Sequence, residues 1–171
     1  MVPTDESATE ELMGSAVKWG IILALAVSVI NPIWVLAGMH TNMAAQPGYL
    51  ALVILLNIVA VILALRETAS SNGYGAQLAS GLVLGVVGGI IIFLTSFTML
   101  TFVFPEMVPE QIAAFKASYQ ALEMDETAKQ LMISSLDAVT PTTQAAQGAI
   151  GTLFTSLIVG AITGAFLRKK A

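Results

Sequence analysis

Apolar positions in this chain gather into runs too long for a soluble core. Residues 19–65, 68–104 and 138–167 contain no Asp, Glu, Lys or Arg. A helix needs about 20 apolar residues to cross the hydrocarbon core of a bilayer. The first run is long enough to cross twice, and each of the others crosses once. The pattern predicts four transmembrane helices, at 16–38, 48–65, 77–104 and 146–167. Lys18 and Trp19 open the first span with a cation and an aromatic suited to the interface. Asn31-Pro32 falls in its second half, and the missing backbone donor of Pro32 predicts a kink there. A polar turn at 39–47, carrying His40, leads into span two. Arg66-Glu67 closes that span, and the Ser/Asn/Gly content of 68–75 marks a loop.

The sizeable segment outside the spans is 106–143. After Pro109, the residues Ile112, Phe115, Tyr119 and Leu122 recur at helical spacing and form one apolar face. Asp125 reads as the N-cap of a second helix reaching Asp137, with Ala128, Leu131, Met132 and Leu136 as its stripe and Pro141 as its stop. Two short amphipathic helices at a membrane surface are expected to lie on the bilayer or fold against the spans. The fold class is therefore all-α: a polytopic membrane protein of four transmembrane helices with an amphipathic two-helix loop between spans three and four. Residues 1–14 are read as an acidic cytoplasmic tail and 15–171 as one membrane domain.

Composition agrees with this reading. Of 171 residues, 56% are hydrophobic and 11% charged, against about 25% charged in soluble domains. The chain has no cysteine and a single histidine. Disulfides, thiolate chemistry and multi-histidine metal sites are excluded, and no cofactor or metal is expected. The net charge of −4 sits in the solvent segments, and no basic cluster points to nucleic acid. With four spans, Lys18, Arg66, Arg168, Lys169 and Lys170 fall on the side of the termini, while Lys116 and Lys129 lie opposite. The positive-inside rule then places both termini in the cytoplasm and the two-helix loop outside, with Arg66 and the Arg168-Lys169-Lys170 cluster as the cytoplasmic anchor.

Several features admit both a packing role and a functional one. Gly81, Gly85 and Gly89 form two overlapping G-x-x-x-G units, beside Gly88, and Gly160 and Gly164 repeat the spacing in span four. Such faces let helix backbones approach closely, either within the bundle or against another chain. Asn31 and Asn57 are the deepest polar residues of the first two spans. Interhelical hydrogen bonds account for them more simply than an ion site, because no ionisable group lies in the core of any span. His40 reads as an interfacial polar residue; a metal or catalytic role would need ligating or basic neighbours, which only the acidic outer loop could bring by folding over its turn. Thr95, Ser96, Thr98 and Thr101 would line a hydroxyl path or bond back to their own helix. The loop carboxylates Glu106, Glu110, Glu123, Asp125, Glu126 and Asp137 read as a solvated face with a cap.

Arg66, Asn72-Gly73-Tyr74-Gly75, Gln77, Ala79 and Gly81 head the glycine-rich span, and Phe104-Pro105-Glu106-Met107 leaves it. With the acidic, methionine-bearing loop and the basic end, these resemble an uncharacterised bacterial four-span membrane protein family, the domain of unknown function (DUF) forty-one ninety-nine. The resemblance covers about residues 16–170. It implies the four-span topology in a bacterial inner membrane and supplies no catalytic residues.

No nucleophile–base pair, phosphate loop or cofactor motif is present. The expected function is that of a non-enzymatic accessory or scaffold subunit acting through helix contacts. Its expected partners are the lipid bilayer and a further copy or another membrane protein. The alternative is a small oligomeric transporter or channel for a neutral or lipidic substrate.

Overall fold

The structure, a computed structural model, describes residues 5–68 and 73–167, with side chains from residue 10. Among these residues there are six α-helices and no strand: α1 (Asp5–Leu36), α2 (Gln46–Thr68), α3 (Tyr74–Thr98), α4 (Met107–Ala121), α5 (Glu126–Leu136) and α6 (Pro141–Leu167). α1, α2, α3 and α6 contain the four stretches long and apolar enough to cross a membrane. Large apolar side chains point outward from them, among them Leu25, Val29, Leu55, Ile90 and Phe154, each more than half exposed. That is the surface a lipid solvent requires.

Helix boundaries follow capping chemistry more than hydropathy. α1 starts at Asp5, so the acidic segment expected as a tail is partly helix. Leu12 within it is buried. α1 runs through Pro32 and stops at Leu36, where Gly38 adopts φ 68 and its N–H bonds the Val35 carbonyl at 2.9 Å. Glycine reaches that left-handed conformation without a Cβ penalty. α6 begins at Pro141, ahead of the expected 146. Thr140 and Thr143 cap it reciprocally, each backbone N–H meeting the other's hydroxyl, at 2.8 and 3.1 Å. Proline suits the first helical position because its missing donor would be unpaired there anyway. Pro141 thus starts a helix, where the sequence reading used it only as a stop. α3 continues through a π-helical turn, Met99–Val103, in which the Phe104 N–H reaches back five residues to the Met99 carbonyl at 2.8 Å.

The spans pack in the cyclic order α1, α3, α6, α2, and α3 is the most embedded. Small residues make this possible. A Cβ on Gly81 would lie 3.2 Å from the Gly160 Cα and 3.0 Å from the Ser156 carbonyl oxygen. One on Gly85 would meet Ser156 Cβ at 3.0 Å, one on Gly89 the Ala149 carbonyl at 3.1 Å, and one on Gly164 the Gln77 Cβ at 3.0 Å. The glycine face of α3 is thus occupied by α6. A second contact, which sequence reading did not single out, joins α3 to α1: a Cβ on Gly20 would lie 3.0 Å from the Leu84 carbonyl.

The apolar core, built on Ala16, Leu23, Ala24, Val27, Ala60, Val61, Ala64, Leu65, Leu84 and Ile92, fills the half of the bundle towards the termini. At that end Lys18 pairs with Glu67 at 2.7 Å, and Ser15 donates to the same carboxylate at 2.7 Å. Arg66 is exposed beside them, and Arg168, Lys169 and Lys170 lie outside the described residues. The opposite, loop-bearing half is packed differently.

Candidate functional site

Between the loop-side halves of α1, α2, α3 and α6 lies a cavity of about 350 Å³. Its lining extends along α2 from Gln46 to Asn57, about 17 Å at 1.5 Å per residue and so roughly half of a ~30 Å hydrocarbon core. Asn57 forms the floor. Its Nδ2 donates to the Thr152 carbonyl at 3.2 Å, and its Oδ1 accepts from Ser156 Oγ at 3.1 Å. All three residues are buried, and these bonds join α2 to α6.

Asn31 stands in the wall on α1. The Tyr49 hydroxyl donates to its Oδ1. Its Nδ2 reaches Ser96 Oγ on α3 at 3.5 Å, a long bond with little strength. Trp34 and Tyr49 complete that wall with ring centroids 5.2 Å apart and planes at 45°. Of the four hydroxyl residues in the second half of span three, Ser96 lines the cavity. Thr95 bonds back to the Ile91 carbonyl at 2.9 Å and accepts from Ser28.

The roof is made by the turn after α1 and by α4. His40 is buried, 7% exposed, and its Nε2 lies 3.0 Å from Glu110 Oε2 on α4. The Gln46 amide holds the turn by donating to the His40 and Met39 carbonyls, both at 3.2 Å. Gln144 of α6 donates to Gln111 of α4 at 3.1 Å. Val108 is buried, and Met107 and Gln111 face the cavity. The acidic loop therefore does fold over the histidine turn, and His40 is a buried roof residue rather than an interfacial one. Ile112, Phe115 and Tyr119 are half-buried on α4, whereas Leu122 lies past the helix end in an extended conformation and is 44% exposed. The apolar face read from the sequence ends at Tyr119, since the chain must leave the helix to reach the cap of α5. Asp125 caps α5 by accepting from the Ala128 N–H at 3.1 Å, as its spacing predicts. α5 has no buried residue, and Lys116 joins it to α4 through Asp137 at 2.6 Å.

One side of the cavity is open, between α2 and α6. Leu50 and Ile54 of α2 and Gln147, Gly148 and Gly151 of α6 both line it and are exposed. A Cβ added to Gly151 would meet nothing within 4 Å. The lining face of α6 is Gln144, Gln147, Gly148, Gly151, Thr152 and Thr155. Sequence reading missed this stripe, although small and uncharged polar residues recur there at steps of three and four. The signal lay inside a run assessed for hydropathy alone.

Among the described residues that line it, none is Asp, Glu, Lys or Arg, and His40 and Tyr49 are the titratable groups. Among the described residues, no three or more His, Asp or Glu side chains converge as metal ligands would.

The architecture also matches at the level of sequence families. The family described as Protein of unknown function (DUF4199) matches residues 18–169, nearly the whole chain. The chain belongs to that family. No curated protein matches it, and no solved structure does. Within this DUF4199 chain the matched region contains every cavity-lining residue, from Val27 to Thr155.

Proposed function

We propose that this DUF4199 protein is a non-enzymatic membrane protein that binds one uncharged, membrane-soluble molecule in the cavity and admits it sideways, between α2 and α6. The carrying observation is a half-membrane-deep cavity of about 350 Å³ with neutral polar groups on its walls and one side open towards lipid. Ligand pockets run from about 300 to 1,000 Å³. A charged headgroup would lose its hydration there without an opposite charge to meet it, at a cost of several kcal/mol. A neutral head needs only the hydrogen bonds that Asn31, Ser96, Gln147 and Thr155 offer.

A scaffold role drew its motive from the small-residue faces. Those of α3 and α6 are spent on each other, at backbone distances that leave no room for a further helix. The cavity is complete within one chain, so binding requires no oligomer. The basic residues at the terminal ends support a cytoplasmic placement of both termini in a bacterial inner membrane. In that orientation the open side faces the outer leaflet and α4 roofs the cavity from outside.

The test is the lipid that accompanies the purified protein. Extraction and mass spectrometry should find a neutral lipid at near-stoichiometric amount in the wild type and its loss in Gly151→Leu, whose side chain enters the open side. The same neutral lipid complement in both proteins would refute the reading.

A further inference from the structure

The cavity's shape and chemistry narrow the ligand class, and this step rests on the binding reading above. A cavity of about 150 Å³ lined by apolar side chains accepts benzene. The volume here, about 350 Å³, holds one substituted six-membered ring, and any hydrocarbon tail must leave through the open side. Two surfaces favour a flat head. Gly148 and Gly151 present bare helix backbone on α6, with the nearest neighbour of a Gly148 Cβ at 3.6 Å on Ile92 and none near Gly151. Trp34 and Tyr49, their planes at 45°, and the thioethers of Met99 and Met107 line the same cavity. Aromatic faces and thioethers both favour contact with a ring.

The hydrogen-bonding groups set polarity. Tyr49 donates to Asn31 Oδ1, which turns the amide so that its Nδ2 faces Ser96. The Nδ2 of Asn31 is left with one long bond, 3.5 Å to Ser96. An amide N–H held this loosely is available to a better acceptor, and the Ser96 hydroxyl next to it can donate as well. A carbonyl oxygen on the ring would satisfy both, and buried carbonyls need such partners. We infer that the ligand is a quinone: a planar ring bearing carbonyl oxygens, one of them accepting from Asn31 and Ser96 beside the Trp34–Tyr49 wall, with its hydrocarbon tail running out past Gly148 and Gly151 between α2 and α6.

Trp34 makes the test direct. The chain has two tryptophans, and Trp19 lies near Lys18, at the other end of the bundle. In a Trp19→Phe background reconstituted in nanodiscs, Trp34 fluorescence is followed against a decyl-substituted benzoquinone, with dioctanoylglycerol as an acyclic neutral competitor. Expected is saturable quenching, weakened about tenfold or more by Gly151→Leu, weakened also by Ser96→Ala, and unaffected by the diacylglycerol. Circular dichroism and chromatographic size establish that both variants are folded. A saturable change in Trp34 fluorescence on adding dioctanoylglycerol alone, without saturable quinone quenching, would overturn the quinone assignment and leave the binding reading standing. Quenching that saturates equally in Gly151→Leu would place the quinone elsewhere and overturn the assignment. Failure of both ligands, together with a lipid-free purified protein, would remove the binding reading as well.

Discussion

Coupling between Asn57 and Ser156 tests whether the cavity floor is the hydrogen-bonded junction the structure shows. Asn57 makes two bonds to α6, one to the Thr152 carbonyl at 3.2 Å and one from Ser156 Oγ at 3.1 Å, with Asn57 2% and Ser156 0% exposed. Hydrogen bonds between membrane helices average about 0.6 kcal/mol and reach about 1.7. Ser156→Ala removes one bond, so it should destabilise by about 0.6 kcal/mol. Asn57→Ala removes both and should cost about 1.2 kcal/mol from hydrogen bonding, plus a term for lost packing. In the double variant the Asn57–Ser156 bond can be lost only once. The double-mutant cycle should therefore return a coupling of about 0.6 kcal/mol, and the packing term cancels so far as it is independent of residue 156. Unfolding free energies by denaturing-detergent titration of protein in mixed micelles provide the four corners. A coupling indistinguishable from zero, with both single variants folded, would falsify the junction and with it the closed floor of the cavity.

Other outcomes follow from contacts already described. Gly85→Leu should destabilise the bundle strongly, by about 3 kcal/mol or more, because even its Cβ would stand 3.1 Å from the Leu153 Cα; an unchanged melting temperature would contradict the α3–α6 packing. Gly151→Leu, in open space, should melt within a few degrees of wild type by the same measurement. His40→Leu should loosen α4 from the turn by removing the bond to Glu110, seen as faster proteolysis of the α4–α5 loop in intact vesicles, and unaltered cleavage would show that the roof is held elsewhere. Phe115→Asp should expose the same loop, whereas Lys116→Asp should change stability by no more than about 1 kcal/mol, since its ion pair with Asp137 is partly solvent-exposed. Equal protease sensitivity at both positions would contradict the packing of α4 on the bundle.

The four spans, the two loop helices and the Asp125 cap are legible in the sequence because each rests on a local cost. A charge in hydrocarbon is expensive wherever the rest of the chain lies, so charge-free runs locate spans without knowledge of their neighbours. An Asp before a periodic stretch caps whatever helix follows. Boundaries were less legible where capping overrode hydropathy, at Gly38 and at Thr140-Pro141. The small-residue faces were visible too, but their partner was not. Gly81, Gly160 and Gly20 have the same composition whether they meet within one chain or between two, and only backbone positions decide that Gly81 faces Gly160 and Gly20 faces Leu84. The cavity was least legible. It is a gap among residues of α1, α2, α3, α4 and α6, and each of those residues is unremarkable in its own helix. Asn31 and Tyr49 lie 18 residues apart, and His40 and Glu110 70 apart. Pairing them depends on the order in which the helices pack around α3. Hydrophobicity cannot select that order inside a membrane, where lipid is as apolar as the protein, so close backbone contact and a few polar bonds decide it.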